Sequence, residues 1–216
     1  MDPVLPSLDP DPAVRQEPTE RDADEDRRFV LHDISWEQYE SMRELLDEHS
    51  SLRITYLEGT LELMSPSRTH EHIKKLIARL VELYAIERDI DLNGYGNMTF
   101  KRKARKRGLE PDECYTIGVM SEETGAERPD IAFEVEVSRS AIDKLDVYAG
   151  LGVPELWFWR GEKMQVHRLG PDGYQPRDRS DFIPGLDFSL LAQFVGIRNQ
   201  AEAVKAFREA LRAAGR

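Results

Sequence analysis

Acidic side chains occupy three of the four positions on one side of the segment PDIAFEVEVS. Apolar and other residues alternate there with a period of two, which is the pattern of a β-strand. Neighbours on one face lie about 6.8 Å apart, so the acids repel one another strongly wherever they are shielded from water. A divalent cation such as Mg²⁺ or Mn²⁺ would cancel this repulsion and prefers hard oxygen ligands. A solvated acidic face is the alternative. The face in question carries Asp130, Ala132, Glu134 and Glu136.

Strand geometry limits which of these acids can share one ion. Asp130 and Glu134 are separated by about 13 Å along the strand, too far for both to bind one metal at about 2.1 Å. A second ligand for Glu134 must come from a neighbouring strand, about 4.8 Å away. The preceding segment EPDECY offers Asp112 or Glu113. The sequence therefore predicts a ligand pair with one acid from each of two adjacent strands.

Two further side chains could take part in chemistry beside these acids. His70 lies three residues before Ile73, on the apolar stripe of a predicted helix, and is either a structural core histidine or a residue that binds phosphate or orients water. Lys144 follows the acidic strand, inside SAIDKLDVYAGLG. It either stabilises developing negative charge or is a surface lysine that pairs with Asp143 or Asp146.

A basic run precedes Asp112 directly and opposes the sign of the protein's net charge. Such a run could hold a phosphate backbone beside the metal chemistry, or it could pair with the acidic N-terminal segment. A solvated loop is the ordinary interpretation. The run consists of Lys101, Arg102, Lys103, Arg105, Lys106 and Arg107.

The elements that must position these residues follow from capping and periodicity. Ser35 and Gln38 form a capping box for a helix over 36–49, ITYLEGTLELMSP is a hairpin that turns at Glu58-Gly59, and a helix covers 68–89 with Ser67 or Thr69 as its cap. A basic loop joins two strands between 93 and 118, and Ser140 caps a helix that ends at Leu151. Two strands, ELWFWR and KMQVHRL, follow; residues 171–190 are a loop, and a C-terminal helix starts at 190 or 199.

The length, charge and local composition of the chain indicate its domain organisation. The chain has 216 residues and a net charge of -11, so binding to nucleic acid would need a local basic patch. Residues 1–28 hold five prolines and nine acids, which predicts a disordered tail. Residues 29–198 form the predicted main domain and 199–216 its C-terminal helix. No apolar run approaches the roughly 18 residues of a membrane span, and we expect a cytoplasmic protein.

The combination of YLEGTLELMSPSRTHEHIKKLIARL, GLEPDECY and RPDIAFEVEVSRSAIDKLDVYAGLGVPELWFW resembles the Uma-two family of bacterial restriction endonucleases over residues 30–170. The resemblance implies an α+β fold of the PD-(D/E)xK nuclease class, with a mixed central β-sheet flanked by helices. It matches Asp112, Asp130 and Glu134 to the family's acids, Lys144 to its lysine and His70 to the histidine after MSP. The general nuclease pattern places lysine two residues after the second acid, where this chain has Glu136.

We therefore predict a Mg²⁺- or Mn²⁺-dependent endonuclease that hydrolyses DNA. Asp112 and Glu134 are the expected metal ligands and catalytic acids, with Glu136 or Asp130 as outer or second-metal ligands. Lys144 would stabilise the transition state, His70 would assist, and the basic run would position the DNA backbone.

Two alternatives to this function remain open from the sequence, and a homodimer is expected in addition. The break in the lysine spacing favours a non-catalytic nuclease-fold module that binds DNA or a protein partner. A hydrolase of smaller phosphate esters would share the metal chemistry without needing the basic run. A homodimer suits cleavage of both DNA strands, and ELWFWR is either its interface or a central strand.

Overall fold

The computed structural model describes residues 25–46, 52–119 and 128–214 as five helices and eleven strands. The helices are α1 (Trp36–Leu46), α2 (Arg68–Glu87), α3 (Lys144–Leu151), α4 (Phe188–Val195) and α5 (Gln200–Ala214). The strands are β1 (Arg27–Leu31), β2 (Arg53–Leu57), β3 (Thr60–Ser65), β4 (Leu92–Gly94), β5 (Phe100–Arg102), β6 (Arg107–Leu109), β7 (Glu113–Ile117), β8 (Ile131–Val135), β9 (Glu155–Arg160), β10 (Lys163–Gly170) and β11 (Gly173–Arg177).

The strands form two sheets, which confirms the predicted α+β class and divides the expected single sheet in two. One sheet is antiparallel with the order β1-β3-β2-β6-β5. The other has the order β11-β10-β9-β8-β7-β4, in which only β8 and β9 are parallel. Helix α3 makes the crossover between β8 and β9 that a parallel pair requires.

Strand β8 is buried on both faces because different helices cover them. Ile131, Phe133 and Val135 pack into a core cluster with residues of α2, α4 and α5. Ala132, on the opposite face, packs with Cys114 and with Tyr148 of α3. The acid-bearing face therefore lies under α3 and is not a solvated surface.

Local signals account for most element boundaries. The Ser35 hydroxyl accepts the backbone N–H of Gln38 at 3.2 Å, and the Gln38 side chain accepts that of Ser35 at 2.7 Å, as expected of a capping box. Glu58 and Gly59 have φ of 47° and 102°, so the hairpin turns where the sequence predicts. Ser67 caps α2 through the N–H of His70.

Several boundaries differ from the sequence expectation. Asp143, not Ser140, caps α3, because its carboxylate accepts the N–H of Leu145 while Ser140 bonds elsewhere. The predicted loop over 171–190 contains β11 and the start of α4. The basic loop is mostly β5, a 3₁₀ turn over Lys103–Arg105, and β6.

Both ends of the predicted main domain carry ordered structure. Strand β1 begins at Arg27, so residues 25–28 of the expected tail belong to the folded body, whereas 1–24 lie outside the described residues. The predicted end of α1 at residue 49 also lies outside them. Helix α5 contributes Ala203, Phe207 and Leu211 to the same core as α2. Among the helices of the described ranges, none combines the length and apolarity needed to cross a membrane.

Candidate metal and catalytic site

Asp112 and Glu134 lie side by side at the junction of β7 and β8. The antiparallel register pairs Glu113 with Phe133, so Asp112 and Glu134 fall opposite each other one position further along. Oδ2 of Asp112 accepts the backbone N–H of Val135 at 2.7 Å. Only 3% of Asp112 and 1% of Glu134 is exposed. The structure thus brings together the two acids that the sequence analysis proposed as ligands.

Helix α3 supplies two partners to Glu134 from its first two turns. Lys144 Nζ donates to Oε2 of Glu134 at 2.5 Å, and the Tyr148 hydroxyl donates to Oε1 at 2.5 Å. Both lie on the helix face that covers β8, since residues four apart share a face. Lys144 is one of the residues that the sequence predicted for the site, and Tyr148 adds a second donor to the same carboxylate.

Burial and neighbouring charges set the protonation of this pair. Burial raises the pKa of Glu134, with Lys144 opposing and Asp112 reinforcing the shift. Burial disfavours the Lys144 ammonium, but the carboxylates of Glu134 and Asp112 outweigh it and raise the pKa of Lys144. Lys144 is therefore a buried cation beside the two acids.

His70 connects Asp112 to a third buried acid, Asp26. Its Nδ1 lies 3.1 Å from Oδ2 of Asp26 and its Nε2 lies 3.0 Å from Oδ1 of Asp112, and the ring is fully buried. Burial opposes the charged imidazole, but the two carboxylates outweigh it and raise the pKa of His70 to about 9. Burial alone would raise the pKa of Asp112. The hydrogen bond and charge of His70, helped by Lys144 and the Val135 N–H, outweigh burial and lower this pKa to about 2. His70 is thus an imidazolium that fixes Asp112.

A second buried network, centred on Glu62 of β3, supports the segment before α3. Glu62 is 1% exposed and accepts from Arg28 Nη1 at 2.6 Å, from the Ser140 hydroxyl at 3.0 Å and from the Ala141 N–H at 2.8 Å. Arg28 also contacts Asp26 at 3.3 Å. The sequence analysis missed Asp26, Arg28 and Glu62, because the first two fell in the predicted tail and the third in an ordinary hairpin.

An open cleft of about 640 Å³ lies between the end of β8 and the start of α3. Its lining includes Lys144, together with Glu136 and Arg160, which form an ion pair. Lys144 therefore separates the buried acids from a solvent-filled space. Glu136 lies at the rim of this cleft, where it could act only from outside the buried pair.

Asp130 is not brought to the site. It lies four residues before Glu134, at the other end of β8, and its Oδ2 accepts the N–H of Ile117 at 2.9 Å. The strand rise keeps it about 13 Å from Glu134. Its role as a second ligand for this ion is therefore not supported by its position.

The basic run packs along α1 and α3 instead of projecting as a loop. Lys101 binds Glu40 at 3.0 Å, Lys103 lies 3.4 Å from Glu37, and Arg107 binds both Glu58 and Asp146 at 3.0 Å. Arg102 donates to the Gly150 carbonyl at 3.5 Å. Among described groups, Arg105 and Lys106 have no side-chain ion pair. Half of the predicted cations are therefore neutralised within the fold.

The donor set of the buried pair fits Mg²⁺ or Mn²⁺, which take carboxylate and water oxygens. Each carboxylate oxygen of Asp112 and Glu134 has one protein partner, and a carboxylate oxygen offers two lone-pair sites. Over the three described ranges, no group of three or more His, Cys, Asp or Glu residues could hold a metal ion. Water and substrate oxygens would have to complete the coordination, as is usual for Mg²⁺.

One comparison with known proteins gives a match. A family model described as "Uma2: Putative restriction endonuclease" matches residues 36–194, more than half of the chain, and includes all the acids discussed except Asp26. No curated protein matches the chain.

Proposed function

The chain belongs to the Uma2 family, and from that premise we propose that it is a Mg²⁺- or Mn²⁺-dependent endonuclease that hydrolyses phosphodiester bonds of DNA. The observation that carries the proposal is the buried pairing of Asp112 with Glu134, with Lys144 bonded to Glu134 at 2.5 Å. Two acids and a lysine on adjacent elements are the groups that metal-dependent hydrolysis of a phosphodiester needs.

In this proposal Asp112 and Glu134 hold the cation and Glu136 contributes from the outer rim. When bound, the metal activates water and neutralises charge on the scissile phosphate. His70 acts through Asp112: its imidazolium keeps that carboxylate ionised and fixed between two strands. Asp130 is not proposed as a ligand of this ion, because it lies at the far end of β8.

Lys144 has the role of stabilising charge that develops on the phosphate, or of positioning the attacking water. Its ammonium group is on the boundary between the buried acids and the open cleft, where a phosphate could approach. Tyr148 donates to the other oxygen of Glu134 and so sets the carboxylate's orientation. Glu62 and Arg28 brace the segment that leads into α3.

Contact between the basic run and the DNA backbone remains a prediction. Within it, Arg105 and Lys106 are the cations best suited to the role, because Lys101, Lys103 and Arg107 already bind carboxylates. A homodimer would present one such site to each strand of a duplex. The segment ELWFWR does not supply its interface, because β9 is a central strand whose Leu156–Trp159 side chains are buried.

Incubation of purified protein with plasmid DNA and Mn²⁺ tests the proposal. The double variant Asp112→Asn/Glu134→Gln should lose cleavage by at least about a hundredfold, the scale on which a single stabilising group contributes to catalysis. Asp130→Asn, at the other end of the same strand, is the matched control and should cleave as the wild type does. Cleavage by the double variant at the wild-type rate would refute the assignment.

A second candidate function is a nuclease-fold module that binds DNA or a protein partner without cleaving DNA. The observation that favours it is that Glu136 occupies the lysine position of the general nuclease pattern, while each oxygen of Asp112 and Glu134 already has a protein partner. It predicts no cleavage with any divalent ion, and equal DNA binding by the wild type and the double variant.

A further inference from the structure

Helix α2 carries a row of basic side chains, three cations and one histidine, that is separate from the basic run of the sequence. Arg68, His72, Lys75 and Arg79 recur at spacings of four, three and four residues, so they lie on one side of the helix. We call them the α2 row. It extends over about 16 Å, because each helical residue adds about 1.5 Å. Its length suits several successive phosphates of one nucleic-acid strand.

Three of the four residues of the α2 row line a cleft that reaches the candidate catalytic acid Asp112. This cleft has a volume of about 620 Å³, and its lining includes Arg68, His72, Lys75 and Asp112. It is distinct from the cleft at Lys144, which Asp112 and Glu134 do not line, so of these two clefts Asp112 reaches open space only in the α2 cleft. A strand lying in the α2 cleft would approach Asp112 directly.

Arg68, Lys75 and Arg79 of the α2 row form no ion pair within the described ranges, unlike half of the cations in the basic run. Burial raises the pKa of Glu82, and the charges of Lys75 and Arg79 oppose that shift from beyond ion-pair distance. Arg79 donates to the neutral Gln200 at 3.0 Å. Gln200 also contacts His72, at 3.4 Å. Lys101, Lys103 and Arg107 of the basic run, by contrast, each bind a carboxylate.

The acids on the wall of the α2 cleft each have a bonded partner outside the α2 row, and one of them, Glu113, also interacts with the charge of Lys75, which opposes the rise that burial causes in its pKa. Glu71 binds Lys74 at 2.6 Å, and Glu113 accepts the N–H of Gly96 at 2.6 Å. Asp112 is held by His70 and by the Val135 N–H. The row of cations is thus the part of this cleft that can attract a phosphate backbone.

We propose that the α2 row binds the phosphate backbone of the DNA strand that flanks the scissile phosphate. This inference rests on the proposed nuclease function and adds the surface along which the substrate lies. The chemistry of recognition is sequence-independent, because phosphate contacts fix position without identifying bases. Helix α2 would then serve both parts of the site: its buried face places His70 beside Asp112, and its α2 row contacts the DNA backbone.

Salt-dependent DNA binding without divalent metal tests this surface separately from cleavage. A fluorescent duplex is titrated with wild-type protein, with Arg68→Gln/Lys75→Gln, and with the control Lys163→Gln/Arg177→Gln, which removes two exposed cations from β10 and β11. Each phosphate contact contributes about 0.9 to the slope of log affinity against log salt. The α2 variant should lose about 1.8 of slope and at least tenfold in affinity at low salt, and the control should retain the wild-type slope.

Three results would overturn the inference: absence of DNA binding by the wild type, an unchanged slope in the α2 variant, or an equal loss in the control. An unchanged α2 slope together with a loss of slope in Arg105→Gln/Lys106→Gln would assign the contact to the basic run.

A cleavage assay run in parallel separates this inference from the proposed function. If the wild type cleaves, the double variant at Asp112 and Glu134 does not, and the α2 slope is unchanged, the surface is wrong while the proposed function stands. If the α2 slope falls but no divalent ion supports cleavage, the surface stands and the proposed activity fails.

Discussion

The two ends of β8 carry carboxylates with the same position in the alternating pattern and opposite surroundings. At the C-terminal end, Glu134 is 1% exposed and is bonded by Lys144 and Tyr148, with Asp112 beside it. At the N-terminal end, Asp130 is part-exposed, accepts one backbone N–H, and has no ion pair with any residue in the described ranges. The first carboxylate is buried beside a cation and a second acid, as the proposed site requires, whereas the second is a part-exposed hydrogen-bond acceptor.

The difference comes from the elements that pack against each end of β8. Helix α3 begins over the C-terminal end and directs Lys144 and Tyr148 onto Glu134, and the start of β7 brings Asp112 opposite it. At the other end, Asp130 lies next to the end of β7, where the Ile117 N–H needs an acceptor. Strand alternation thus determines the face on which an acid lies, while the adjacent elements determine its burial and its bonding partners.

The largest expected effect on stability at the Glu134 end comes from Lys144→Met. Removal of the ammonium group leaves Glu134 buried without its cation, which costs about 3–5 kcal/mol in the free energy of unfolding. Urea denaturation at pH 7 measures this loss. The double variant Lys144→Met/Glu134→Leu should recover much of it, because both buried charges are then absent. A single variant as stable as the wild type would show that the pair is not buried as described.

A smaller effect, dependent on pH, is expected from His70. Its pKa is about 9 in the folded protein against 6.5 for an ordinary histidine, a difference equivalent to about 3 kcal/mol. Because the folded-state pKa is raised, this stabilisation is complete below about pH 6.5 and is lost as the pH rises through 9. His70→Gln should therefore flatten the stability profile between pH 6.5 and 9, measured by denaturation at several pH values. An equally steep profile in the variant would assign the dependence to another group.

The smallest effect is expected at the Asp130 end. Asp130→Ala removes one hydrogen bond to the Ile117 N–H, which is worth about 1 kcal/mol. Denaturation should show that loss, and the plasmid assay should show cleavage comparable to that of the wild type. A loss of cleavage as large as that expected for Glu134→Gln would abolish the contrast between the two ends.

Local rules predicted several elements near the site, although not the cap of α3. The capping box at Ser35, the turn at Glu58-Gly59 and the alternation of β8 are short-range patterns, and each predicted the structure correctly. Strand spacing and the order of strands predicted that a partner for Glu134 lies in EPDECY, either Asp112 or Glu113, and the family resemblance selected Asp112. These features could be predicted because they depend on residues close in sequence or on adjacent strands.

The support of the site depends on contacts between distant parts of the chain, which no local pattern specifies. Asp26 meets His70 across 44 residues, and Glu62 meets Ser140 across 78. Asp26 and Arg28 follow a stretch so acidic and rich in proline that composition extended the predicted tail over them. The pairing of the basic run with Glu40, Glu58 and Asp146 is likewise set by tertiary packing.

Calorimetric titration with Mn²⁺ in the absence of DNA measures metal binding by the Asp112–Glu134 pair without depending on cleavage. We expect the wild type and Asp130→Asn to bind the ion with similar heats, and Asp112→Asn/Glu134→Gln to show no binding up to millimolar Mn²⁺. Circular dichroism verifies that all three proteins are folded. Equal binding by the double variant, or loss of binding in Asp130→Asn alone, would contradict the assignment of the metal to the Asp112–Glu134 pair.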